Sequence, residues 1–232
     1  MLFDFGNDPS FDIGVAFSQG PAPSMEDSVV KAGRRFAVVD GFGGDGDKAS
    51  QAAAVAFGAS KAQDLKDTFW EAHRAVFEVQ GLHRCMASMV AARVEDMPRS
   101  WSGRNGLGME VRVPNKILKV AWSGNCRAYV LRSFYEDLER ITQDHMSGPI
   151  ITCSLGNQHY WTPELEETKF GPKDVLLLCS KGLYSVVSHQ LIGDQIRCGG
   201  SAQQIASRLV GLAQNLETRE NVSVLVVKSA GV

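Results

Sequence analysis

Three short acidic segments carry side chains able to hold hard cations: SMEDS (24–28), VVDGFGG (38–44) and TRENVSV (218–224). Divalent ions such as Mg²⁺ and Mn²⁺ take oxygen ligands in octahedral geometry and keep several waters. Carboxylates on different turns at one end of a sheet can share two such ions, and a water bridging them becomes a hydroxide-like nucleophile near neutral pH. The glycines after Asp40 let the backbone come close enough for a carbonyl to ligate. Against this set stands Lys181, at the first bend after the apolar run LLLCS (176–180), where an acid would be expected to complete it.

The elements that must position these turns are legible in part. Strands are expected at 11–20, 35–44, 108–114, 116–125, 127–133, 174–180 and 221–229, with a hairpin at Pro114-Asn115. The run 174–180 is apolar on both faces and should be central, and 221–229 should close the sheet. Helices are expected over the alanine-rich 48–65, over 68–95 from its three-to-four spacing of apolar residues, and over 201–216 with Ser201 as N-cap. Ser188 caps a further short helix at 189–197. Strands in hairpins, with helices in a separate block, predict an α+β fold with mainly antiparallel sheets. No linker or repeat interrupts the chain, so 1–232 reads as a single domain.

Composition narrows the function classes. The 232 residues are 44% hydrophobic and 22% charged, with a net charge of −2 and a pI of about 6.2, which does not point to nucleic acid or an anionic membrane. No apolar run nears the roughly 18 residues of a membrane span, and the N-terminal MLFDFGNDPS lacks a secretory pattern. Five cysteines without CxxC spacing read as reduced thiols, and the expected location is cytoplasmic. His73, His83, His159 and His189 have no metal-ligand partners at useful spacing and are expected on the surface or on helix faces. Asp144 and His145 are expected to cap a turn. GFGGDGDK (41–48) fails as a phosphate loop because no Ser or Thr follows Lys48 directly. DGFGGDGD (40–47) fails as a calcium loop because no glutamate closes it.

Seven motifs in order resemble the metal-dependent protein phosphatases of the 2C type, the PPM family: GPAPSMED (20–27), FAVVDGFGG (36–44), VAWSGNCRAYVL (120–131), ITQDH (141–145), IITCSLG (150–156), KDVLLLCSKGLYSVVSHQ (173–190) and RENVSVLVV (219–227). The resemblance implies a β-sandwich of two antiparallel sheets flanked by helix pairs. It also implies a metal set of Asp27, Asp40, Gly41 and Glu220 with Glu26 behind it, in which Asp40 bridges the ions and Gly41 offers its carbonyl.

The sequence departs from that pattern where the chemistry lies. The histidine linked to acid catalysis is Phe42, which cannot move a proton. The phosphate-gripping arginine is Ala22, which removes bidentate recognition. The Ser-Asp-Gly aspartate is Lys181, the Asp-Asn aspartate is Glu220, and the Gly-Asp-Ser turn reads Gly124-Asn125-Cys126. Only Met146, Ser147 and Gly148 separate His145 from Pro149, so the flap insert is largely absent.

Two like charges about 4 Å apart cost roughly 4 kcal/mol at an effective dielectric of 20, and a divalent ion doubles this. Lys181, paired with Asp40 or Asp27, is therefore expected to stand in for the cation and block the site. The expectation is a phosphatase-like shell without catalytic activity and without a cofactor, acting on a protein partner such as a kinase, a phosphatase or a phosphoprotein. One alternative is an active Ser/Thr phosphatase using Mn²⁺ or Mg²⁺ in a rearranged site. A hydrolase of small phosphoesters ranks below both.

Overall fold

Successive residues of a strand face opposite sides of its sheet, and in this chain both sides of two sheets are covered. The computed structural model describes residues 1–80, 84–97, 116–133, 137–157 and 162–229. The first sheet has six strands in the order β1 (Leu2–Asn7), β3 (Asp27–Gly33), β4 (Arg35–Gly43), β5 (Cys85–Asp96), β6 (Lys116–Ser123) and β11 (Glu164–Phe170). The second has five: β2 (Phe11–Ser18), β13 (Val222–Ser229), β12 (Val175–Cys179), β7 (Arg127–Leu131) and β8 (Leu138–Arg140). Every pairing is antiparallel except β1 with β3.

Alternation along the strands divides the buried residues into layers. Phe36 and Val38 of β4 face Leu176 and Leu178 of β12 in the core between the sheets. Ala37 and Val39 face the other way, onto Ala53 and Phe57 of α1 (Gly46–Ala59) and Phe69 and Val76 of α2 (Leu65–Val79). On the far side, Leu177 and Cys179 of β12 pack with Ile192 of α4 (His189–Arg197) and Ile205 and Leu209 of α5 (Ala202–Asn215). A single turn, α3 (Lys181–Tyr184), follows β12. The result is the helix–sheet–sheet–helix sandwich that the motif order implied.

Several expectations hold in detail. Strand β12 lies in the middle of its sheet. Ser201 caps α5 in a reciprocal capping box with Gln204, and the Ser188 side chain accepts from the Leu191 N–H at the start of α4. The expected strand at 108–114 and its hairpin at Pro114-Asn115 lie outside the described residues, as do His83 and His159. Where a flap was sought, β9 (Met146–Ser147) and β10 (Ile150–Ile151) form a hairpin of two-residue strands.

Others need correction. The helix expected over 68–95 ends at Val79, and Cys85–Asp96 is a strand between β4 and β6. Most of β5 from Cys85 to Val94 is apolar and buried, with helices on one face and the second sheet on the other, so a three-to-four spacing can be found in it without a helix. Strand β13 does not close a sheet; it pairs with β2 on one side and β12 on the other. The helices form two blocks, one per sheet. His73 is buried on α2, where its Nδ1 accepts from the Gly156 N–H at 3.3 Å.

Candidate functional site

The antiparallel register of β3 and β4 sets Asp27 directly opposite Asp40, so two carboxylates share one end of the first sheet. Their position follows from the turns around them. The Gly41 N–H donates to the Glu26 carbonyl at 3.1 Å. A Cβ on Gly41 would lie 1.8 Å from the carbonyl oxygen of Gly46, so only glycine lets the start of α1 press against the acidic turn.

The second sheet supplies the other wall. Asp27 is 1% exposed, and its Oδ2 accepts a hydrogen bond from the Ser180 hydroxyl at 2.7 Å. The same hydroxyl oxygen accepts the Ser223 N–H at 2.9 Å. Asp27 Oδ1 is buried without a hydrogen-bond partner, and so is the Ser223 hydroxyl. Asn221 makes three bonds to the loop before β3: its Oδ1 accepts from the Glu26 N–H at 2.7 Å, and its Nδ2 donates to the carbonyls of Gln19 at 2.8 Å and Ser24 at 3.0 Å. On the other side of Asp40, the register places Ser88 of β5, whose hydroxyl donates to the side chain of buried Asn125 at 2.8 Å.

Electrostatics at the carboxylate pair follow from burial. Removal from water pushes the Asp27 carboxyl up to about 6, against the pull of the Ser180 hydroxyl. Burial likewise holds Asp40 well above the ordinary carboxylate range; the charges of Asp27 and Glu220 add to this, and that of Lys181 opposes it. Two adjacent carboxyls drawn out of water cannot both ionise cheaply without a cation.

Lys181 opens α3, and a Cβ on the next residue, Gly182, would lie 2.1 Å from the Asn221 carbonyl. This close packing of α3 on the 220–222 turn brings Lys181 against Glu220: Lys181 Nζ lies 2.5 Å from Glu220 Oε1, with side chains 42% and 40% exposed. The expected contact of Lys181 with Asp40 or Asp27 is thus replaced by one with Glu220 at the rim. Among the described residues, no three His, Cys, Asp or Glu side chains converge as a metal-holding group.

The remaining positions are now placed. Ala22 and Phe42 are partly buried, and the Ala22 carbonyl accepts from Gln19 Nε2 at 2.8 Å. Asp144 takes a two-pronged ion pair from Arg127 at 3.0 and 2.6 Å, and the Arg127 guanidinium lies 3.4 Å from the Tyr184 ring centroid. That fits its expected structural part. Ser180, Asn221 and Ser223 were not singled out as site residues, although each lies within three residues of Lys181 or Glu220.

No protein-family model and no curated protein sequence matches this chain. Solved structures do. The catalytic domain of the serine/threonine protein phosphatase PstP, in complex with two manganese ions, superposes with a TM-score of 0.74 at 23% identity, covering 94% of this chain and 97% of that one. The PPM Ser-Thr phosphatase MsPP from Mycobacterium smegmatis, in complex with cacodylate, gives 0.74 and 23%, covering 93% and 97%. PppA, a regulatory component of the type VI secretion system in Pseudomonas aeruginosa, gives 0.71 and 21%, covering 96% and 99%. With two sheets, two helix layers and near-complete mutual coverage, the chain has the fold of the PPM-family serine/threonine phosphatases.

Proposed function

We propose that this chain is a phosphatase-fold protein that works by binding a protein partner rather than by hydrolysing phosphate esters. The observation that carries this reading is the Lys181–Glu220 ion pair. Asp40, Asp27, Glu220 and the Gly41 carbonyl are the groups that would hold a divalent pair. Glu220 instead gives one oxygen to an ammonium at 2.5 Å, and that ammonium adds a positive charge where a ligand should add a negative one. The residues present therefore do not suit a two-metal centre. Phe42 and Ala22 further remove a proton donor and a guanidinium fork from the same cleft.

A protein partner suits the surface beside this pair. A cleft of about 590 Å³ adjoins the rim, between the Ser18–Pro21 loop and the Gln214–Arg219 turn. It offers backbone, amide and charged groups of both signs, as a polar peptide segment would need.

The second reading, an active Mn²⁺- or Mg²⁺-dependent protein phosphatase, draws on the cross-strand Asp27–Asp40 pair, whose high proton affinity a cation would relieve. A hydrolysis assay separates the two. With para-nitrophenyl phosphate and a phosphopeptide in millimolar Mn²⁺, turnover should not exceed that of Asp40→Asn. Manganese-dependent turnover that disappears in Asp40→Asn overturns the binding-only reading.

A further inference from the structure

At the end of β4 away from Asp40, the strand register sets Arg35 directly opposite Arg93 of β5. Like charges facing each other across two strands repel, so the pairing is unfavourable unless something offsets it. Both arginines line a pocket of about 370 Å³, together with Arg34 of the β3–β4 turn and Ser60, Lys61 and Gln63 between α1 and α2. Among the described residues, four cations line this pocket and no Asp or Glu does.

Counter-charges reach only half of the four. Arg34 gives Nε to Asp8 and Nη1 to Asp96 at 2.5 and 2.7 Å. Arg93 Nε lies 2.9 Å from Glu95, a carboxylate that also takes Lys119 at 3.0 Å. Among the described residues, Arg35 and Lys61 make no ion pair. Two positive charges are left without a paired carboxylate.

Arg35 is held in place without being satisfied. Its guanidinium carbon lies 5.7 Å from the centre of the Phe57 ring, and Nη2 donates to the Ser60 carbonyl at 2.8 Å. Nη1 is buried with no hydrogen-bond partner, a costly state for a charged donor. Arg93 Nη1 donates to the Gln63 carbonyl. Both guanidinium groups are thus anchored on the 60–63 segment. Burial and the Arg93 charge lower the proton affinity of Arg35, and Glu71 opposes this in part.

We infer that this pocket binds a phosphate dianion, free or as the end group of a small phosphomonoester. Phosphate carries close to two negative charges at neutral pH, which matches the two unpaired cations. Its oxygens also suit the planar arginine fork. A carboxylate would offset only one of the two charges. The volume falls within the range of small-ligand pockets. The inference does not depend on how the carboxylate site works, because that site lies at the other end of β4.

Whole isotope-labelled protein is kept in EDTA at neutral pH, and amide shifts are followed by NMR as sodium phosphate replaces sodium chloride at constant ionic strength. EDTA keeps cations off the acidic turns, and constant ionic strength removes general screening. Methyl phosphate and acetate are titrated in the same way.

Amides of 33–35 and 60–63 should move on saturable curves with a Kd of about 1 mM or below for phosphate, and at least about tenfold weaker for acetate. Lys61→Glu, at an exposed position, should weaken phosphate binding about tenfold or more. Arg35→Lys, which keeps the charge but loses the fork, should weaken it by a smaller factor. Tighter binding of methyl phosphate than of inorganic phosphate assigns the ligand to a phosphomonoester, and the reverse order to the free ion; either supports the site. Shifts that grow without saturating, that acetate reproduces, or that Lys61→Glu leaves unchanged overturn the inference. The Lys61→Glu result decides the matter even if Arg35→Lys fails to fold.

Discussion

Lys181 Nζ and Glu220 Oε1 meet at 2.5 Å, above a floor formed by the cross-strand pair Asp27–Asp40. The ion pair joins the first turn after β12 to the turn before β13, two segments already tied to the acidic turn, by Ser180 to Asp27 and by Asn221 to Glu26. A cationic side chain is therefore held at the mouth of an acidic cleft by the same packing that builds the cleft.

Because both partners of that ion pair are about two-fifths exposed, it adds little stability of its own. Lys181→Ala and Glu220→Ala should each cost under about 1 kcal/mol in urea unfolding, with a coupling below about 1 kcal/mol in the double-mutant cycle. A direct contact with Asp27 or Asp40 would have made Lys181→Ala cost about 1–3 kcal/mol. A loss in that higher range would show that Lys181 is bound to those carboxyls in solution.

The buried carboxyl of Asp27 should leave a signature in pH. Its folded-state value lies above its unfolded value, so it favours folding fully below about 4, and this advantage is lost as pH rises through about 6. At neutral pH the penalty is about 3 kcal/mol, from a displacement of about two pH units at about 1.4 kcal/mol each. In EDTA, Asp27→Asn should therefore gain stability over wild type as pH is raised from 4 to 7, since the amide oxygen can still accept from Ser180. Equal stability curves across that range would mean that Asp27 is ionised and compensated.

Gly41→Ala tests whether the acidic turn is held by backbone contact. The added methyl would meet the Gly46 carbonyl at 1.8 Å and the Glu26 carbonyl at 3.0 Å, and neither is the end of a flexible side chain. A loss of about 2–3 kcal/mol is expected in thermal or urea unfolding. A loss below about 0.5 kcal/mol would show that α1 does not press on this turn.

Asn221→Ala removes three hydrogen bonds that join the 18–26 loop to β13. At about 1 kcal/mol each, the expected cost is about 2–3 kcal/mol. Amide exchange around Glu26 should rise with it. Unchanged exchange at Glu26 would mean that the loop is held without Asn221.

Much of this architecture can be read from residue order because both faces of the strands are buried and the turns carry distinctive residues. β4 announces itself by FAVVDG, and α5 by Ser201 and its apolar stripe. Strand β5 stays hidden because its alanines, methionines and valines between 86 and 94 satisfy helical and strand periods alike. Strand β11 hides for another reason: ELEETKF is exposed along most of its length, so its side chains lack an apolar rhythm. Of the candidate site, the acids themselves were legible, but their geometry was not. Asp27 opposite Asp40 depends on strand register, and the partner of Lys181 depends on how α3 packs against the 220–222 turn. Neither relation is local in sequence.

Whether the acidic turns hold a divalent cation is decided by titration calorimetry. Mn²⁺ is titrated into wild type and into Lys181→Asp/Glu220→Asp, which exchanges an ammonium for a carboxylate and shortens the other acid. Wild type should give no saturable heat up to about millimolar Mn²⁺, and the double variant should bind at least one ion. Two manganese ions bound by wild type at micromolar concentration, or a double variant that still binds none, would contradict the account.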